Sequence, residues 1–215
     1  MNQGILFVEP HYLPCVQYFV YLNSFSKIII DRDDVYLKQT YRNRCKINGA
    51  NKIENLIIPI KKISNRKMLT HDVEIDYTQK WHNNHLRAIQ SAYGKAPFFE
   101  YYRDEIFEIY NKKPCYLLEL NKALLTKCLE ILDLNLNIEY SEIKDVSNKY
   151  HVYDIKNKIN PKIPNSILSI FKPTNYFQVF GNNFADNLSI IDLIFCEGPN
   201  ARQIIAKSHT MNRQI

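Results

Sequence analysis

The chain has 215 residues, 46% of them hydrophobic, enough to bury the core of one domain and short for two. Its net charge of +6 arises from 28 basic and 22 acidic residues, which suits an anionic small molecule, an acidic partner or weak nucleic-acid attraction about equally, although its spread along the chain argues against nucleic acid. No stretch approaches the roughly 20 apolar residues of a membrane-crossing helix, and five scattered cysteines without a Cys-x-x-Cys pair read as reduced thiols, so a cytoplasmic protein with no membrane span is expected.

Ile5-Leu6-Phe7-Val8 reads as a strand, and Pro14 stands where a helix begins. Val16, Phe19, Val20 and Asn23 share a face of that helix, with Tyr18, Leu22 and Phe25 extending the stripe, and Lys27 to Ile30 follow as a second strand. The order predicts a parallel pair joined by a right-handed crossover. Leu56 to Ile60 is a third strand candidate and Val73 to Asp76 a fourth. From Trp81 the period changes: Trp81, His85, Ala88, Ile89 and Ala92 predict an amphipathic helix ending near Gly94. Pro97 starts a second helix through Phe98, Tyr102, Ile106 and Ile109, and Leu117 to Leu132 form a third. Residues 144–166 read as a long polar loop or flap. Ser189-Ile190-Ile191-Asp192 has the form of a capping box, with Leu188 and Leu193 placed as a staple, and Gly198-Pro199 ends that helix. The expected architecture is one α/β domain over 1–215: a small, mostly parallel, Rossmann-like sheet at the N-terminus, a helical layer from about residue 80 and a capped C-terminal helix.

Ligands of open α/β sheets bind beyond the carboxyl ends of the strands, and a helix amino terminus there offers free N–H groups to an anion. Glu9, His11 and Tyr12 border that place, so His11 is a candidate base; the alternative is a proline-stiffened turn. Lys38-Gln39-Thr40-Tyr41-Arg42-Asn43-Arg44 has the composition of an anion site, or of a solvated basic loop. His85, on the Trp81 face, is a core histidine or a second candidate base. The i, i+3 spacing of His82 and His85, with Asn83 and Asn84 between them, argues against zinc, and no metal or cofactor is expected. Cys15, beside a helix start, could carry a lowered pKa and act as a nucleophile, or be a small buried hydrophobe.

Several of these segments together resemble the WbqC-like family, whose members occur in bacterial surface-polysaccharide clusters. Its opening Q-P-x-Y-x-P-W turn is matched by Glu9-Pro10-His11-Tyr12-Leu13-Pro14-Cys15, with Glu9 and Cys15 as departures. Its K-x-x-[WY]-x-N-R element is matched by Lys38, Tyr41, Asn43 and Arg44. The helical patterns correspond to Trp81, His85, Tyr93, Pro97, Phe98 and Phe99, and the later ones to Pro173, Tyr176 and Gln178 and to Asn187 through Leu193 with Gly198-Pro199. The resemblance implies a place in bacterial glycan or nucleotide-sugar metabolism. The leading expectation is transfer of an acyl or aminoacyl group to an amino sugar or nucleotide sugar, with His11 or His85 as base and an activated acyl donor or nucleotide sugar as partner. Glu9, Tyr12, Lys38, Tyr41, Asn43, Arg44, Trp81, Tyr176 and Gln178 would contact substrate. A non-catalytic module binding a sugar nucleotide or partner enzyme is the alternative. A nucleotidyltransferase of the HxGH type is a weaker one, since the second histidine and the glycine are missing.

Overall fold

A computed structural model describes residues 2–62, 67–142, 151–163, 170–181 and 183–210. Strand β1 (Asn2–Val8), helix α1 (Val16–Leu22) and strand β2 (Phe25–Asp31) form the expected parallel unit, paired from Ile5 opposite Lys27 to Val8 opposite Ile30. Two further strands, β5 (Ile138–Ser141) and β6 (Val152–Asp154), complete a four-stranded parallel sheet in the order β5-β2-β1-β6. Strand β6 lies inside the stretch expected as loop or flap; 144–150 and 164–166 of that stretch lie outside the described residues.

The two central strands are apolar on both faces, as strands covered on both sides must be. Leu6, Val8, Ile28 and Ile30 join the main core under the helices, whereas Ile5, Phe7 and Ile29 form a separate cluster with Val152. Phe25, placed by periodicity on the first helix, instead opens β2, because the helix stops at Leu22.

The third and fourth strand candidates need correcting. Strand β4 is Ile53–Ile57, earlier than expected, and pairs antiparallel with β3 (Arg44–Asn48) as a two-stranded sheet separate from the parallel one. Pro59 has no N–H to continue a ladder, and the chain leaves the pair there, with Ile58 N donating to Asn43 O at 2.9 Å. Val73 to Asp76 forms only isolated bridges, Ile75 to Ile60 and Glu74 to Tyr116.

The helical layer is α2 (Trp81–Tyr93), α3 (Phe99–Asn111) and α4 (Leu117–Ile131), close to the periodic segments read from the sequence. Leu117, Leu120, Leu124, Leu125 and Cys128 form the buried stripe of α4. Near the end, α5 (Ile190–Glu197) is buried along all but its last residue, and α6 (Ala201–Lys207) resumes after Gly198-Pro199.

The start of α5 is not a capping box. Ser189 Oγ donates to Leu13 O at 2.9 Å and caps nothing. Asp192 accepts from Tyr176 Oη at 2.6 Å and Gln178 Nε2 at 3.0 Å. Asp192 is fully buried, and its side chain is taken up by these tertiary donors in place of a cap.

Candidate functional site

The turn after β1 is closed from both sides. Tyr12 N donates to Tyr41 O at 2.9 Å, Ile190 N to Pro14 O at 2.8 Å and Val16 N to Leu188 O at 3.0 Å. Gln17 N donates to Asn187 Oδ1 at 2.9 Å and Tyr18 N to Cys15 O at 3.0 Å, so the first N–H groups of α1 are spent on protein acceptors. The expected anion site at this helix start is therefore absent, since an anion needs N–H groups that have no other partner. Cys15 beside it is buried, and burial pushes its thiol up to about 11, opposite to the shift a nucleophile needs.

Beyond the carboxyl ends of the strands lies a buried ionic network where the open crevice was expected. His11 Nε2 donates to Glu9 Oε1 at 3.0 Å, both side chains being essentially inaccessible. Arg42, 0% exposed, forks onto Asp34 through Nε at 2.6 Å and Nη2 at 2.9 Å, and Nη2 also reaches Asn157 Oδ1 at 2.9 Å. Its Nη1 stands 3.8 Å from Glu9 Oε1. Burial raises the Glu9 carboxyl, but His11 and Arg42 outweigh it and the net shift is downward. Glu9, His11, Tyr12 and Tyr41 are thus interior residues, and none of them lines the two lobes at the end of β4 or the cavity between α4 and β5 described below.

The open site lies one layer outward, around the end of β4. One lobe, of about 260 Å³, is lined by Tyr36, Lys38, Gln39, Asn43 and Arg44 together with Ile57 to Ile60. A second lobe, of about 370 Å³, is lined by Asn55, Gln79, Trp81, Asn84 and His85 and shares Ile57 and Pro59 with the first. The two form one groove with a cationic end and an aromatic, amide-rich end. Lys38 is exposed, and among the described residues neither it nor Arg44 has a carboxylate partner. Among the described residues Arg44 Nε and Asn43 Oδ1 are buried without a hydrogen-bond partner, while Asn43 Nδ2 donates to Ile58 O at 2.8 Å. Burial pushes the Tyr36 hydroxyl up to about 12, with Arg44 and Arg42 drawing it the other way.

In the second lobe Trp81 is 5% exposed, and its indole Nε1–H has no partner among the described residues. Its ring meets His85 edge-on, with centroids 5.0 Å apart. His85 Nε2 donates to Ile57 O at 3.2 Å and its Nδ1 accepts from Tyr12 Oη at 2.8 Å. Among the described residues, none that lines either lobe is an acid, a cysteine, a serine or a threonine. Chemically the groove offers hydrogen-bond donors and positive charge.

Tyr176 and Gln178 stand elsewhere, holding Asp192, and Gln178 also exchanges hydrogen bonds with the backbone of Ala185 at 2.9 Å. Sequence reasoning missed Asn55, Gln79 and Asn84. Asn84 was legible as the residue three beyond Trp81 on the same helical face; Asn55 and Gln79 carried no local signal. A larger cavity of about 640 Å³ between α4 and β5 contains none of the candidates. Leu125, Leu129, Leu134, Leu136 and Ile138 make much of its wall, and its cation, Lys122, rests 4.9 Å over the Tyr140 ring. Convergent donors that have no partner among the described residues, more than volume, make the groove the candidate site. Among the described residues no three His, Cys, Asp or Glu side chains converge as metal ligands do, and no helix is long and apolar enough to cross a membrane.

The WbqC-like protein family model matches residues 9–163, a span that holds every residue of the groove but not Tyr176, Gln178 or Asp192. A protein of Mycobacterium tuberculosis (strain ATCC 25618 / H37Rv), named Uncharacterized protein Rv1507c, is 25% identical over 138 residues, or 64% of this chain. The match spans 59% of that protein's length. No solved structure matches.

Proposed function

The chain belongs to the WbqC-like protein family, and from that premise we propose that its groove binds a sugar carrying a phosphate, such as a nucleotide sugar or sugar phosphate. The observation that carries this reading is the juxtaposition across Ile57 and Pro59 of two cations without carboxylate partners and a lobe of Trp81, His85, Asn55, Gln79 and Asn84. Arg44 and Lys38 suit the phosphate, Arg through its planar fork and Lys as a point charge. Amide and imidazole groups suit sugar hydroxyls, which both donate and accept. The surface-polysaccharide setting implied by the family resemblance supplies ligands of this kind.

Binding ranks ahead of group transfer because, among the described residues, no unspent base lines the groove. An amine attacking an acyl donor must lose a proton. His85 meets the groove with an N–H, His11 is buried against Glu9, and among the described residues no carboxylate lines either lobe. A second reading, transfer of an acyl group to the bound sugar, is favoured by that same His85 N–H, which could polarise an acyl carbonyl. The HxGH-type reading loses its support with the filled helix start.

Titration calorimetry with UDP-sugars tests the binding reading. Replacing Arg44 with Ala removes one charge-assisted contact and should weaken binding about 10- to 100-fold; an unchanged affinity would sink the phosphate role. Mass spectrometry after incubation with a UDP-amino sugar and an acyl-coenzyme A separates the two readings, an acylated sugar favouring transfer.

A further inference from the structure

A hydrogen-bonded wire runs inward from the groove. His85 Nε2 faces Ile57 O, its Nδ1 faces the Tyr12 hydroxyl, and that hydroxyl meets the hydroxyl of Tyr110. Proton positions along it follow from the end that cannot donate. A backbone carbonyl only accepts, so Nε2 carries a hydrogen. For a neutral ring Nδ1 is then bare and accepts from Tyr12, and Tyr12 in turn accepts from Tyr110. Each hydroxyl donates once and each donation finds an acceptor.

A charged ring would reverse the wire. Nδ1–H would donate to Tyr12, Tyr12 to Tyr110, and the last hydrogen would need an acceptor beyond Tyr110. Among the described residues Tyr110 Oη has no hydrogen-bond partner other than Tyr12. Tyr12 and Tyr110 are fully buried, and an unmet hydroxyl donor there costs about 1–3 kcal/mol. Burial acts in the same direction, pushing His85 down to about 4, with the Ile57 carbonyl pulling it up and His82 pushing it further down.

We propose that Tyr12 and Tyr110 are positioning residues that hold His85 as a neutral Nε2–H donor, so that the aromatic lobe selects a ligand presenting an acceptor oxygen and disfavours one presenting an ammonium group. The tautomer rests on the wire alone; the selection rests also on the groove reading above. A ligand oxygen competes with Ile57 O for the Nε2–H, and Ile57 stands at the rim shared by the two lobes. An ammonium group finds no lone pair on this ring, since Nδ1 is enclosed behind it. This narrows the substrate to a sugar whose lobe-facing substituent is a hydroxyl or an amide carbonyl.

Long-range proton–nitrogen correlation spectra of the full chain at pH 7, with His85 assigned through His85→Gln, test the wire. The expected spectrum shows a protonated Nε2 and a bare Nδ1; a protonated Nδ1 overturns the proposal. In Tyr12→Phe the Nδ1 signal should move toward that of an unbonded imidazole nitrogen, and Tyr110→Phe, which leaves Tyr12 in place, should move it the same way by less. A signal unmoved in both folded variants overturns the positioning role. For selection, UDP-N-acetylglucosamine should bind at least about 10-fold tighter than UDP-glucosamine. Equal affinities overturn the selection alone, whereas binding of neither overturns it together with the groove reading.

Discussion

His85 also shows how a single buried ring gives the protein a pH dependence. The unfolded chain takes up a proton on this side chain near pH 6.5, and the folded chain only near pH 4. Between those values the unfolded state holds more protons, so stability from this group is full above pH 6.5 and is lost as the pH falls toward 4. The loss amounts to about 3 kcal/mol at most. Urea denaturation at a series of pH values should show this decline in the wild type and a shallower one in His85→Gln, which retains a donor and an acceptor; parallel curves would contradict it. Periodicity from Trp81 placed the ring on the apolar face, but the same residue could have been a base. Only the positions of Ile57 O and Tyr12 Oη make it a donor.

Among the elements, the junction between α5 and α6 depends on one glycine. Gly198 has φ of +52°, and a Cβ there would stand 2.5 Å from the Phe98 ring. The turn thus needs both the left-handed conformation and the space of a missing side chain. Gly198→Ala should lower stability by about 1–3 kcal/mol, with a correspondingly lower Tm in differential scanning calorimetry; a loss below about 0.5 kcal/mol would show that the ring moves aside freely. The Gly-Pro pair was legible as a stop because its constraint is local. The capping box at the other end of α5 was misread for the opposite reason: Ser189 and Asp192 have cap-like spacing, yet their partners are Leu13, Tyr176 and Gln178. Strands β5 and β6 escaped notice for a related cause, being four and three residues long and defined by pairing with β2 and β1.

At the scale of the molecule, Arg42 joins three distant parts: Glu9 after β1, Asp34 after β2 and Asn157 after β6. Arg42→Ala would leave the buried Asp34 without its ion-pair partner and Glu9 with His11 alone, and should cost about 3–5 kcal/mol in urea denaturation. Lys38→Ala, four residues away and exposed, should stay within about 0.5 kcal/mol in the same measurement. Equal losses would mean that the two cations share one role. By itself the sequence determined the α/β class, the β-α-β opening, the helical layer and the stretch of chain rich in polar chemistry, because hydrophobic period and proline and glycine constraints act over a few residues. Tertiary structure decided which polar groups are spent and which are available. Arg42 meets Asn157 across 115 positions and Tyr12 meets His85 across 73, separations at which no local pattern can pair a donor with its acceptor. The expected site at the turn after β1 is therefore interior, and Lys38, Asn43, Arg44, Trp81 and His85 line the groove instead, where among the described residues Arg44 Nε and the Trp81 indole N–H meet no acceptor.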